Sequence, residues 1–227
     1  MKVNVQLVVA QTLGVFALLA VCLFFSAGTL AWPAGWAFWG LFLSFFVGTA
    51  EWLYRQNPGF LQERLHLETA DEENWDKALF TVLQVAFLGC LVFSSLDGGR
   101  DHWSAIPVWV QAGGTLILLA SFFLFILSFR ENPYLSPVVR IQSDRGQTLI
   151  STGPFGHLRH PMYSAILVFL LGTTLLLGSA YGLLLDLVPS LLLAGRTVLE
   201  ERTLVGQLPG YADYQSRVRY RLIPHVW

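Results

Sequence analysis

Six predominantly apolar stretches of the chain contain no Lys or Arg: Val5–Leu30, Trp36–Tyr54, Ala78–Leu96, Val108–Phe129, Met162–Leu177 and Tyr181–Ala194. A helix needs roughly 20 such residues to cross the hydrocarbon of a bilayer, so the first four predict full spans. The last two are shorter. Gly178-Ser179-Ala180 between them reads as a tight turn, which makes them a helical hairpin. That hairpin is shallow or tilted, or its second helix continues past the membrane into the charged tail. The expected fold is all-α, a multi-pass transmembrane bundle of about six spans. The first stretch follows Lys2 and reaches small residues at Ser26-Ala27-Gly28. It is longer than the apolar core of a signal peptide and reads as a retained span.

Polar segments separate the stretches. In the 55–77 loop, the acidic run Asp71-Glu72-Glu73-Asn74 reads as the solvated start of the third span. In the 130–160 loop, Val138–Gln142 and Thr148–Thr152 flank a polar, Gly-containing turn, which suggests a β-hairpin or an extended loop lying over the helices. The tail has helical spacing from Arg196 to Gln207, with Arg196 and Glu200 one turn apart on one face. Pro209-Gly210 interrupts it, and Tyr211, Tyr214 and Arg217 follow at intervals of three. Two parts are expected. Residues 1–129 hold four helices and the 55–77 loop; residues 130–227 hold the site loop, the hairpin and the C-terminal helix.

Composition agrees with a membrane protein, at 54% hydrophobic and 13% charged, against about a quarter charged in soluble domains. Cys22 and Cys90 lie inside apolar stretches and read as small hydrophobes. A net charge of −1 says nothing about partners; no nucleic-acid partner is expected. The distribution of charge says more than its total. Thirteen of the 14 Lys and Arg residues fall at one side of the six-span arrangement and Arg100 alone at the other. By the positive-inside rule both termini are cytoplasmic, in a cytoplasmic (inner) membrane.

The groups able to do chemistry concentrate in Gly153-Pro154-Phe155-Gly156-His157-Leu158-Arg159-His160-Pro161-Met162-Tyr163. Pro161 suits the first turn of a helix, so Arg159 and His160 precede a helix N-terminus at the membrane edge, a place suited to a polar, partly anionic ligand. No carboxylate or thiol lies close enough in sequence to make His157 and His160 a metal site. No serine has the surroundings of a nucleophile elbow, and Gly153-x-x-Gly156 lacks the Lys of a phosphate loop. Asp186, an acid inside a span, reads as lying near the far membrane surface or pairing with a neighbouring helix. The hairpin brings its two cytoplasmic ends together. Arg159 and His160 should therefore meet Arg196 and Glu200 in one pocket roofed by residues 138–152.

This combination, with Glu200-Glu201 and Tyr211-x-x-Tyr214-x-x-Arg217 after the hairpin, resembles the isoprenylcysteine carboxyl methyltransferase family. It is also similar to the related membrane phospholipid methyltransferases. The likeness covers roughly residues 130–225. It implies an S-adenosylmethionine-dependent methyltransferase embedded in the lipid bilayer. The acceptor it implies is lipophilic or lipidated, including a carboxylate as in isoprenylcysteine. It further implies cofactor contacts from Gln142, Gln147, Thr148, Leu149, Ile150, Phe155, His160, Pro161, Met162, Tyr163 and Glu200. Catalytic roles fall to Arg196, Glu201 and Arg217, with Arg196 at the methyl acceptor. On this reading Glu200 holds the donor's ammonium, His160 and nearby N–H groups its carboxylate, and Tyr163 and Phe155 its adenine. The chain departs from the pattern in three places: a shorter turn at 142–147, Phe155 where Tyr is frequent, and Ala165 where Gly is frequent. The alternatives are a membrane reductase of the sterol type, for which no dinucleotide glycine fingerprint is present, and a non-enzymatic membrane protein.

Overall fold

The computed structural model describes residues 5–65 and 73–227. The apolar stretches are helical: α1 (Val5–Ala20, continued by a π-helical turn, Val21–Phe25), α2 (Pro33–Gln56), the short α3 (Pro58–Leu65), α4 (Asn74–Ser95, continued by Leu96–Asp101), α5 (Val108–Glu131), α6 (Pro161–Leu177), α7 (Ala180–Leu185), α8 (Leu187–Gln207) and α9 (Tyr211–Arg217). Among the described residues, five helical segments are long and apolar enough to cross a membrane: Val5–Phe25, Pro33–Gln56, Trp75–Asp101, Val108–Glu131 and Ala180–Gln207. Pro161–Leu177 is a shorter sixth. The second helix of the expected hairpin runs on to Gln207, well beyond the apolar stretch that ends at Ala194. Phe25, Val85, Trp109, Leu116 and Leu191 are exposed. Apolar exposure on this scale suits a surface bathed in lipid and not one in water.

The helices alternate in direction. The ends of α2, α5 and α8 and the starts of α4 and α6 gather at one end, with residues 132–160 between α5 and α6. The tightest packing is α5 against α6. A Cβ on Gly172 would lie 2.5 Å from the Leu118 nitrogen, and one on Gly114 would lie 2.6 Å from the Leu176 nitrogen. The two backbones therefore touch, as small residues permit between membrane helices. Around this pair an aromatic core joins α1, α2 and α5, with Phe45 and Phe122 stacked at 4.3 Å and Phe16 edge-on to Trp39. At the opposite end Asp97 accepts hydrogen bonds from Ser104 N (2.7 Å), Ser104 Oγ (2.6 Å) and Ser179 Oγ (2.6 Å), which ties the turns together. Asp186, between α7 and α8, is buried and accepts a 2.7 Å bond from Thr174 on α6. It pairs with a neighbouring helix, as one of the two readings of its position has it.

The 138–152 segment is an extended loop. Among the described residues no strand forms there; a single 3-10 turn, Ser143–Arg145, leads into Gly146 at φ +62°. Side chains occupy the places a strand ladder would use. Gln142 N donates to Gln147 Oε1 (2.7 Å), Gln147 N donates to Gln142 O (3.1 Å), and Arg145 donates to Gln142 Oε1 and to Pro133 O. These local side-chain bonds compete with β pairing. Of the acidic run before α4, Asp71 and Glu72 lie outside the described residues. Glu73 N donates to Val139 O at 3.3 Å, so α4 begins against the loop.

Candidate functional site

The corner from Gly153 to Pro161 is built by backbone. Gly153 sits at φ +55°, where a Cβ would lie 2.9 Å from the Glu131 carboxyl. A larger residue would be both strained and blocked. The 3-10 turn Gly153–Gly156 follows. Then Arg159 N donates to Tyr220 O (2.9 Å) and His160 N to Arg221 O (3.0 Å), so the tail of the chain fixes the two residues before α6. Pro161 occupies the first turn of α6, as its missing N–H allows.

Loop, corner, α8 and α9 line a cleft that is partly open to solvent. Gln147, Thr148, Leu149 and Ile150 line it from the loop, Phe155 from the 3-10 turn, His160, Pro161, Met162 and Tyr163 from the start of α6, and Glu200 from α8. Gln142 does not line it. Its side chain is fully buried, donating to Tyr134 O and accepting from Arg145, and it holds the loop in shape.

Glu200 and Glu201 point differently because neighbours on a helix are about 100° apart. Glu200 lines the cleft and accepts a hydrogen bond from Tyr163 Oη. Glu201 is outside the lining and 3% exposed. It gathers Arg159 Nε (2.6 Å), Arg221 Nε (2.8 Å), His160 Nε2 (3.3 Å) and Gln215 Nε2 (3.3 Å). Arg159 also donates to Val218 O and Gln215 O. This cluster joins the corner, α8 and the tail behind the cleft wall, and it engages the imidazole expected to meet the ligand.

Arg196 is also outside the lining. Its Nε and Nη2 bind Asp76 Oδ1 and Oδ2 at 2.8 and 2.9 Å, and Nη2 donates to Pro137 O at 2.6 Å. The guanidinium lies over the rings of Phe80 and Tyr163, at 5.6 and 5.5 Å. Asp76 is fully buried and accepts Val139 N at 2.7 Å through Oδ2. Arg196 thus meets an acid from the first turn of α4, and it approaches Glu200 only through Tyr163. Arg217 ends α9, exposed and away from the cleft. Tyr163 is stacked on His160 at 5.5 Å, so its ring is already enclosed by protein groups.

Spacing alone missed three contributors: Asp76, Arg159 as the main partner of Glu201, and Tyr211, which lines the cleft. Burial and the negative charges of Glu201 and Glu200 hold the Tyr211 phenol well above its usual range, and burial pushes Tyr214 up to about 12. Both stay protonated at neutral pH. Tyr214 Oη donates to Phe155 O at 2.7 Å. The described lining therefore offers the Glu200 carboxylate, the buried phenols of Tyr163, Tyr211 and Tyr214, the guanidinium groups of Arg140 and Arg159, the His160 ring and apolar walls. It can hold a partly aromatic molecule that carries charges of both signs.

Residues 109–208 match the model of a family described as phospholipid methyltransferase. The matched segment takes in α5, the site loop, the corner, α6, α7 and α8, in line with the resemblance carried by the motifs. No curated protein matches the chain. The match spans 100 of the 227 residues, and with the apolar helices it is a likeness to a family of membrane methyltransferases.

Proposed function

We propose that this protein is a membrane methyltransferase that takes its methyl group from S-adenosylmethionine, bound in the cleft, and transfers it to a lipophilic acceptor that arrives from the bilayer. One observation carries the reading. Ten of the eleven residues that the motif resemblance implies for the donor line a single cleft, and that cleft has one carboxylate, Glu200, among its described lining.

S-adenosylmethionine supplies an electrophilic methyl on a sulfonium. The chain's own groups hold and orient it. Glu200, aligned by Tyr163 Oη, suits the donor's ammonium. Leu149, Leu204 and Leu208 offer apolar surface to its uncharged parts. Glu201 stays outside the cleft and holds Arg159 and His160, which line it, at the corner. Transfer then depends mainly on positioning.

The acceptor assigned to Arg196 by resemblance is a carboxylate. Here Asp76 already occupies that guanidinium in a bidentate pair, and an acceptor carboxylate would have to displace it. This favours a neutral nucleophile, such as a phospholipid amine, with the carboxylate acceptor as the alternative. The charge distribution supports a cytoplasmic placement of the cleft and both termini. The reading is tested by incubating the purified protein with methyl-labelled donor and membrane lipid extract. A labelled lipid amine is the expected product, a labelled methyl ester would restore the carboxylate acceptor, and failure to bind the donor would overturn the reading.

A further inference from the structure

One wall of the cleft differs from the rest. Leu149, Leu204 and Leu208 pack with Tyr211 and Tyr214 into an apolar cluster, and all five line the cavity. Tyr214 spends its hydroxyl on Phe155 O. Tyr211 does not: it is 3% exposed, yet its hydroxyl has no hydrogen-bond partner among the described residues. A buried hydroxyl without a partner is costly and calls for an explanation. Burial and the nearby carboxylates of Glu201 and Glu200 hold its pKa above the usual range and so suppress its ionisation. The phenol therefore stays a donor, and the two carboxylates beside it favour an uncharged acceptor on the ligand over an anionic one.

A flat group with apolar faces and uncharged hydrogen-bond acceptors at its edge fits these conditions. We propose that the α9 wall is the nucleobase subsite of the cleft, with Tyr211 Oη donating to a ring nitrogen of adenine. The proposal rests on the methyl-donor reading above. It moves the adenine away from Tyr163, whose ring is stacked on His160 and lies under the Arg196 guanidinium, and leaves Glu200 for the ammonium.

The test uses the full chain in detergent and calorimetric binding of S-adenosylhomocysteine and its 1-deaza, 3-deaza and 7-deaza analogues. Tyr211→Phe is expected to weaken S-adenosylhomocysteine about three- to tenfold, the range of one neutral hydrogen bond. The ligand-free melting temperature should hold or rise, because an orphan hydroxyl has been removed. One deaza analogue should lose affinity in the unsubstituted protein and lose nothing further in Tyr211→Phe. Tyr214→Phe should instead lower the melting temperature. Equal affinity in Tyr211→Phe and the unsubstituted protein overturns the subsite, as do equal losses for every analogue in both proteins. Absence of any binding to the unsubstituted protein is a separate result, which overturns the donor reading and the subsite with it.

Discussion

Arg196 and Asp76, 120 residues apart, form a bidentate ion pair at 2.8 and 2.9 Å, with both side chains buried. The pair joins α8 to α4, and through Pro137 O and Val139 N it also fastens the loop that roofs the cleft. Removing one partner leaves the other charge buried and alone, which costs about 3–5 kcal/mol. Asp76→Asn should therefore lower the detergent melting temperature sharply. Arg196→Lys should do the same, because an ammonium does not reproduce the two parallel bonds. Thermal melting and turnover measured on both variants separate this from an acceptor-binding arginine. A direct contact with substrate predicts that Arg196→Lys loses turnover at unchanged stability.

The two adjacent glutamates should fail in different ways. Glu200 faces the cleft, so Glu200→Gln should weaken donor binding about ten- to a hundredfold, the worth of a charged contact of about 1.5–3 kcal/mol, with little change in melting. Glu201 lies behind the wall amid two guanidinium groups and an imidazole. Glu201→Gln should chiefly destabilise the protein. Donor titration and melting on both variants check this, and a reversed pattern would exchange the two roles.

Legibility in the sequence followed locality. The spans were readable because bilayer thickness sets their length; the structure moves their ends by a few residues, except that α8 extends to Gln207. That residues 147–150, 155 and 160–163 share one cleft was readable because they are nearly contiguous. Asp76 was not readable from spacing, since its partner comes from the far end of the chain. A signal for it existed all the same: an arginine just past an apolar stretch needs a counter-charge at the same depth, and Asp76 opens a helix at that end. The β-hairpin suggested by Val138–Gln142 gave way to side-chain bonds from Gln142 and Gln147, because β propensity depends on context. The three-residue rhythm of Tyr211, Tyr214 and Arg217 buries the two tyrosines and runs out into solvent at Arg217.

Topology has its own test. Asp101 and Gly146 are both exposed and lie at opposite ends of the bundle. In a background with Cys22 and Cys90 replaced by Ala, a membrane-impermeant thiol reagent applied to intact cells should label Asp101→Cys and spare Gly146→Cys. The reverse pattern would put the cleft on the outer side, against the distribution of Lys and Arg.

Arg159 and Arg221 bind the same carboxylate, at 2.6 and 2.8 Å from Glu201, yet they should not be worth the same. The Arg159 side chain is 6% exposed and that of Arg221 is 27% exposed. Water screens a partly exposed pair and leaves it a median worth of about 0–1 kcal/mol. A buried charge stripped of its partner costs several times that. Arg159 further donates to Val218 O and Gln215 O, so its loss orphans two carbonyls as well as a carboxylate. Arg221→Ala keeps the backbone bond from His160 N to Arg221 O, and its guanidinium also stacks over the Trp227 ring at 4.9 Å. Arg159→Ala should therefore destabilise by about 3 kcal/mol or more, and Arg221→Ala by about 1 kcal/mol. Because Arg159 precedes His160 at the corner, its loss should also reduce donor affinity, while Arg221→Ala should leave that affinity nearly unchanged. Denaturation in detergent and donor titration on the two variants measure both effects. Equal losses in stability would mean that Glu201 is as well solvated on one side as on the other, against its 3% exposure.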